Sequence, residues 1–247
     1  MGMQKWEVIK MRKLLFGFFG LLMCAGAYAG ELSVDTSDPL FLQSRSGFLS
    51  TTALDYFDNG LRLGQYFSYG LTDRLAVGGN VHYQQDFDGS EDGFSSFDIG
   101  GIYRLGSADE NSNRIIYDVL FGLKFGGSHR VRTPDYADST YYAGLRFGRQ
   151  YAGVTLAATV KSSWIFDDVP RGMAFIDFVP EVYFRVNDNW RMGANVALRK
   201  ATNEHYDEES VGIKIVREYG RTQYVGHFDY AFESDGITAG MSVNILF

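Results

Sequence analysis

Gly236-Ile237-Thr238-Ala239-Gly240-Met241-Ser242-Val243-Asn244-Ile245-Leu246-Phe247 ends the chain, and the two rows interleaved in it decide the fold. Ile237, Ala239, Met241, Val243, Ile245 and Phe247 form one row; Thr238, Gly240, Ser242 and Asn244 form the other. Side chains along an extended strand point alternately to opposite faces. The stretch therefore reads as a β-strand with an unbroken apolar row towards lipid and small or polar groups towards an interior.

The same division recurs upstream. Ile115, Tyr117, Val119, Phe121, Leu123 and Phe125 alternate with Ile116, Asp118, Leu120, Gly122 and Lys124, and Leu75, Val77, Gly79, Val81 and Tyr83 alternate with Ala76, Gly78, Asn80, His82 and Gln84. A soluble sandwich also alternates, but it places charges on its outer face rather than so continuous an aromatic row. Twelve such segments are predicted, near residues 47–56, 60–70, 74–85, 96–105, 114–126, 139–150, 153–166, 174–186, 189–200, 210–219, 222–232 and 236–247. The connections after even-numbered segments are mostly short (Leu71-Thr72-Asp73, Tyr151-Ala152, Asn187-Asp188 and Gly220-Arg221), with 106–113 the longest. Those at 86–95, 127–138, 167–173 and 201–209 are longer and acidic. An even strand count with short turns at one rim and long loops at the other predicts an all-β, antiparallel up-and-down transmembrane β-barrel over residues 47–247, with both termini at the short-turn rim. Pro180 removes a ladder donor inside the eighth segment, so a bulge is expected there. Gln65 stands among Leu61, Leu63, Phe67 and Tyr69 on the lipid row, which implies a shift of register in the second strand.

Aromatic residues are 16% of the 247, with 16 Tyr and 20 Phe, and 29 Gly stand against 4 Pro. That mix suits many strands joined by tight turns. Rings placed at both membrane boundaries account for the surplus of tyrosine.

Met11-Arg12-Lys13 opens the apolar run Leu14–Met23, which leads to Ala27-Tyr28-Ala29 before Gly30. A basic start, a short apolar stretch and small residues at the −3 and −1 positions predict a secretory signal over residues 1–29, cleaved after Ala29. The run falls short of a membrane-spanning helix. Met23 precedes Cys24 where a lipoprotein signal carries a small residue, and residues 1–10 read as upstream of the working start. No later apolar run is long enough for a helix to cross a bilayer, which leaves a closed barrel as the way to satisfy every backbone group in lipid. Removing the leader takes away Lys5, Lys10, Arg12, Lys13 and Glu7, leaving 19 basic and 29 acidic groups, a net charge of −10. Such a charge does not suit nucleic acid as a partner. Cys24, the one cysteine, falls in the leader, so the mature chain carries no thiol and no cysteine ligand.

With that leader, the turn Gly70-Leu71-Thr72-Asp73-Arg74-Leu75 and the ending Val243-Asn244-Ile245-Leu246-Phe247, the chain resembles Gram-negative outer-membrane β-barrel proteins of the porin-like and channel-like kind. The resemblance implies residence in the cell outer membrane, among its lipid and lipopolysaccharide. It also implies insertion by the barrel-assembly machinery, which reads a terminal aromatic at the position of Phe247. The likeness spans the mature chain and is architectural, so it implies an assembly route and not a substrate.

The assigned parity turns Arg62, Arg104, Lys124, Arg146, Lys161, Arg185, Arg191, Arg199 and Lys214 inwards, together with Asp98, Asp118, Asp177, Glu181, Glu218 and Asp229. Charged rings set the selectivity of a pore, so one reading is a passive, anion-preferring channel for small solutes. Inward charges must be paired or hydrated, so the other is a salt-bridged interior that fills the barrel. The loop acids Asp86, Asp88, Glu91, Asp92, Asp167, Asp168, Glu204, Asp207, Glu208 and Glu209 lack the ligand spacing and pivotal glycine of a dedicated calcium loop and read as a solvated rim. No cofactor and no metal site is expected.

Two further functions are in play. An outer-membrane lipid hydrolase needs a nucleophile, a base and an orienting group. His129 and His205 fall in loops while His82 and His227 point inwards, and His227, Asp229 and Ser242 form the best candidate triad. The His-x-Ser-Asn-Gly type of motif found in outer-membrane phospholipases is nevertheless missing, because Phe228-Asp229 follows His227. A non-conducting structural or surface-interaction barrel is the remaining class, with the acidic loops as its contact surface. Residues 30–46 are too few for an autotransporter passenger and either lie in the periplasm or tuck into the lumen.

Overall fold

The structure, a computed structural model, describes residues 36–57, 60–87, 92–106, 115–126, 139–165, 174–202 and 207–247. The leader, His129, His205 and the loop acids Asp88, Glu91, Asp167, Asp168 and Glu204 lie outside the described residues. Twelve strands follow one another: β1 Phe48–Phe57, β2 Gly60–Gly70, β3 Leu75–Asp86, β4 Gly93–Arg104, β5 Ile116–Gly126, β6 Thr140–Tyr151, β7 Val154–Ile165, β8 Ala174–Arg185, β9 Trp190–Ala201, β10 Glu208–Tyr219, β11 Thr222–Ala231 and β12 Gly236–Leu246. Each pairs antiparallel with its chain neighbours, and β1 pairs with β12, which closes the barrel and leaves no edge. Every predicted segment forms, with bounds shifted by three residues at most.

The short turns are built from side chains that replace missing ladder partners. Thr72 Oγ1 accepts from the backbone N–H groups of Arg74 (3.1 Å) and Leu75 (3.0 Å) between β2 and β3. Asn187 Oδ1 does the same for Asn189 and Trp190, each at 3.0 Å, between β8 and β9. At the two tightest turns Gly153 and Gly220 take φ of +83° and +60°, a region that a side chain disfavours.

The outward rows carry the oil. Phe97, Ile99, Leu123, Leu145, Ile213 and Met241 are all exposed there. Tyr69, Tyr103, Tyr117, Tyr151, Tyr219 and Tyr224 ring the short-turn end, and Tyr56, Tyr83, Tyr141 and Tyr230 ring the loop end. These are two girdles at the spacing expected of a bilayer's two interfaces. Phe247 seals the seam: its N–H donates to the Phe48 carbonyl (2.8 Å), and the two rings lie 5.8 Å apart.

Two expectations about register are corrected. The β1–β2 ladder runs without a shift, so Gln65 does face lipid. Its amide is tolerated there because it is satisfied locally, accepting from Thr52 Oγ1 (2.8 Å) and donating to Ser50 Oγ (3.0 Å), both on the same outer row. At Pro180 no bulge forms. The pairs Phe178↔Leu198 and Glu181↔Asn195 keep one register, and the β8–β9 ladder merely omits Val179 and Pro180, while β7–β8 is unbroken. The missing N–H is thus the one that would point at β9, and its loss costs a rung without bending the strand. A bulge does occur where none was foreseen, between His82↔Ser96 and Tyr83↔Phe94. Ser95 is the extra residue, and the resulting change of parity puts both Phe94 and Phe97 on the outside.

Residues 36–46 take the second of the two courses open to them and lie inside the mouth at the short-turn rim. Asp38-Pro39-Leu40-Phe41 forms a tight turn, with the Phe41 N–H donating to the Asp38 carbonyl (2.9 Å) and the Leu40 N–H to Asp38 Oδ1 (2.7 Å). The segment starts beside Gln223 of β11 and Asn244 of β12, meets Thr155 of β7, reaches β4 and β6, and returns to a bridge between Arg45 and Gly70 of β2. It spans the bore from one wall to the other, and Leu40, only 1% exposed, is its most deeply packed residue.

Candidate functional site: the charged bore

The register places every one of the predicted inward charges on the inner face and groups them by strand opposition. Arg104 lies opposite Asp118, which lies opposite Arg146, so three neighbouring strands present cation, carboxylate and cation in a row. The contacts follow: Arg104 Nε to Asp118 Oδ1 2.8 Å, and Arg146 Nε to Asp118 Oδ2 2.9 Å. Asp118 is fully buried. Lys161, Asp177 and Arg199 repeat the pattern across β7, β8 and β9, towards the loop end. Here Asp177 meets Lys161 Nζ at 3.2 Å and Arg199 Nε at 2.7 Å, and the Lys161 side chain is 37% exposed.

The remaining charges fill in around these two rows. Arg191 and Glu218 pair at 2.8 Å near the short turns, both buried, and Lys214 of β10 reaches past β9 to Glu181 of β8. That reach is possible because Gly193 lies opposite Lys214 and leaves room for its stem. Lys124 stands opposite Asp98, Arg62 donates to Gln84 (3.4 Å) over the Phe57 ring, and Arg185 is exposed at the short-turn rim. Asp229 leans over Gly212 towards Asn195.

Asp86 and Glu208, expected in the loops, instead end β3 and begin β10 on the inner face, opposite Gly60 and Arg199, and Asp55 is an inward charge that sequence reading missed outright. It comes from β1, where Ser50 and Thr52 on the outer row blur the apolar alternation. Its carboxylate approaches His227 Nε2 at 3.3 Å across Gly240, where a Cβ would collide with both groups. His227 thus pairs with Asp55, a carboxylate other than the Asp229 of the candidate triad. The other inward histidine, His82, meets the Tyr66 hydroxyl at 2.6 Å.

The two ends of the bore differ in openness. Towards the loops lies a recess of about 310 Å³ beside Lys161, Asp177, Arg199 and Glu208, and midway along the wall lies one of about 250 Å³ beside Glu181, Lys214, His227 and Asp229. Rings line the cations, with Arg199 over Phe175 (5.0 Å) and Lys214 over Tyr183 (4.8 Å). Towards the short turns the N-terminal segment fills the space. Its Leu40 and Phe41 carbonyls accept from Arg104 (2.5 Å) and Arg146 (2.9 Å), its Ser37 carbonyl from Lys214 (2.9 Å), and its Asp38 carboxylate from Thr155 (2.5 Å).

Neither a protein-family model nor a curated protein sequence matches the chain. Solved structures do. It is similar to the KdgM porin with 10% identity and a TM-score of 0.61, covering 80% of this chain and 98% of that one. It is similar to the NanC porin with 7% identity and a TM-score of 0.63, covering 79% and 98%. A COG4313 outer-membrane channel from Pseudomonas putida F1 matches with 8% identity and a TM-score of 0.59, covering 87% and 100%. The chain has the fold of the porin-like outer-membrane β-barrels.

Proposed function

We propose that this chain is exported to the Gram-negative outer membrane and passes small solutes, anions preferentially, through its bore. One observation carries the reading: a closed wall, apolar outside and charged inside, keeps recesses beside Lys161 and Arg199 towards the loops and beside Lys214 midway along the bore. The lumenal groups named from sequence act as its lining; Asp55, Asp86 and Glu208 on the inner face offset their cation excess, so the anion preference rests on Lys161, Arg199 and Lys214 beside the recesses. The KdgM porin has also been solved in complex with disordered oligogalacturonate, and an acidic solute of that kind suits these cations. This reading assigns the bore no catalytic step. A leader over residues 1–29, recognition of Phe247 by the assembly machinery and contact of the acidic rim with lipopolysaccharide complete the proposal.

Purified protein in a planar bilayer tests it. Discrete conductance steps with a reversal potential favouring anions are expected, larger in a variant lacking residues 36–45 than in the intact chain. Silence from both forms overturns the channel.

A further inference from the structure

We propose that the Arg104–Asp118–Arg146 row is an oxyanion-binding site that the chain's own residues 36–46 occupy, so that a small carboxylate or phosphate solute competes with this segment and loosens it from the mouth. The inference rests on the bore being a solute path and adds to it a site and a means of opening.

The charge balance of the row is the starting point. Two guanidinium groups face a single, fully buried carboxylate, and no second acid of the barrel wall is bonded to either one among the described residues. Desolvated cations in excess of their counter-ions need further acceptors. The segment supplies them as backbone carbonyls, one to each arginine, at 2.5 and 2.9 Å. Carbonyl dipoles meet the geometry of a guanidinium fork but do not cancel its charge, whereas a carboxylate or phosphate does both. The segment brings one carboxylate of its own, Asp38, which lies within electrostatic range of Arg146 and stands in for such a solute. Lys214 repeats the arrangement, paired with Glu181 and donating its spare N–H to the Ser37 carbonyl. An oxyanion arriving from the bore meets these donors in the place the segment now holds.

The grip is also incomplete. Gln43 is 2% exposed, and neither its amide oxygen nor its nitrogen has a hydrogen-bond partner among the described residues. A buried amide without partners opposes docking, so release regains part of what the carbonyl contacts contribute.

Thiol accessibility tests this without any conductance measurement. Leu40→Cys is introduced in a full chain whose Cys24 is replaced by serine, and its labelling by a neutral polyethylene-glycol maleimide is timed at one ionic strength in chloride, inorganic phosphate or glutarate. Labelling severalfold faster in phosphate or glutarate than in chloride is expected. Equal rates in all three salts overturn the proposal. Arg146→Gln, checked as folded by its mobility on unboiled gels, is expected to lose the difference; if it does not fold, Arg104→Lys, which keeps the charge without the fork, is expected to weaken it. A difference that survives in the folded variant overturns the assignment to this row. Failure of the solute path shows separately, as bilayers that stay silent even without residues 36–45.

Discussion

Two rows of the bore have the same charge pattern and different surroundings. Arg104–Asp118–Arg146 and Lys161–Asp177–Arg199 each set a carboxylate between two cations on three successive strands, at directly opposed positions. In the first row the side chains are 12%, 0% and 11% exposed, beneath the N-terminal segment. In the second, Lys161 and Arg199 border a recess of about 310 Å³. Burial decides what such a row does. A desolvated carboxylate between two buried cations holds strands and segment together, whereas Asp177, though 11% exposed, lies between cations at 37% and 22% that reach water, contributes less to stability and leaves their excess charge for solutes.

The central acid of each row carries the greatest difference between them. Asp118→Asn leaves two buried guanidinium groups without a counter-ion and is expected to cost about 3–5 kcal/mol, the usual penalty for breaking a buried pair from one side. Asp177→Asn is expected to cost roughly 1 kcal/mol or less, because Lys161 and Arg199 retain access to water. Urea midpoints of the detergent-folded barrels, read from mobility on unboiled gels, measure both. Equal losses would remove burial as the distinction between the rows.

Tyr142 stands between the two rows, four residues from Arg146 on β6 with Lys161 5.9 Å from its ring. The ring lies flat over Gly100 and Gly122, so close that a Cβ at either position would collide with it. Gly122→Val is expected to push the ring into the bore and to cost about 1–3 kcal/mol, the range for adding bulk to a filled space. Bilayer current should fall with stability. A variant as stable and as conductive as the parent would show that the ring neither seals the wall nor narrows the path.

What was legible in the sequence follows from what is periodic. Alternation along each strand revealed the twelve strands, and the same parity turned each of the predicted charges inwards, because one residue of register separates lipid from lumen. Asp55 escaped because β1 carries Ser50 and Thr52 on its lipid row. The Ser95 bulge escaped because an extra residue looks like any other polar residue near a loop. The rows could be read as inward charges but not told apart, since the difference comes from residues 36–46. Those residues dock through backbone carbonyls and short polar side chains, Thr36, Ser37 and Asp38, which follow no period.

Reversing a cation in each half separates the two again, by selectivity at one and by stability at the other. Arg199 borders the open recess, so Arg199→Glu is expected to move the reversal potential towards cations; beside Asp177 and opposite Glu208 it lowers the urea midpoint, but Lys161 remains as a counter-ion in reach of water and the barrel still folds. Arg191 is 4% exposed and paired with Glu218, so Arg191→Glu sets two carboxylates together in a buried place and is expected to unfold the barrel before selectivity can be read. If the Arg199 change leaves selectivity untouched, that row does not line the path.

Least stability is at stake outside the bore, where charges reach water. At the loop rim Lys200 Nζ donates to Asp207 Oδ2 (2.8 Å), and the Ala201 N–H donates to Oδ1 (2.8 Å). The hydrogen bond from Lys200, followed by that from the Ala201 backbone, holds the Asp207 carboxyl below its ordinary range. A carboxyl whose folded pKa lies below its unfolded one adds stability that is complete above the unfolded value, about 4, and is lost as the pH falls through the folded value. Asp207→Asn should therefore match the parent's acid sensitivity except below about pH 4, where the parent loses slightly more. Both partners face water, so raising the salt should shrink this difference, whereas Asp118→Asn should cost nearly as much in high salt as in low. Urea midpoints at two pH values and two salt concentrations give all of these comparisons, and a salt-sensitive Asp118 would place that carboxylate in water rather than beneath the segment.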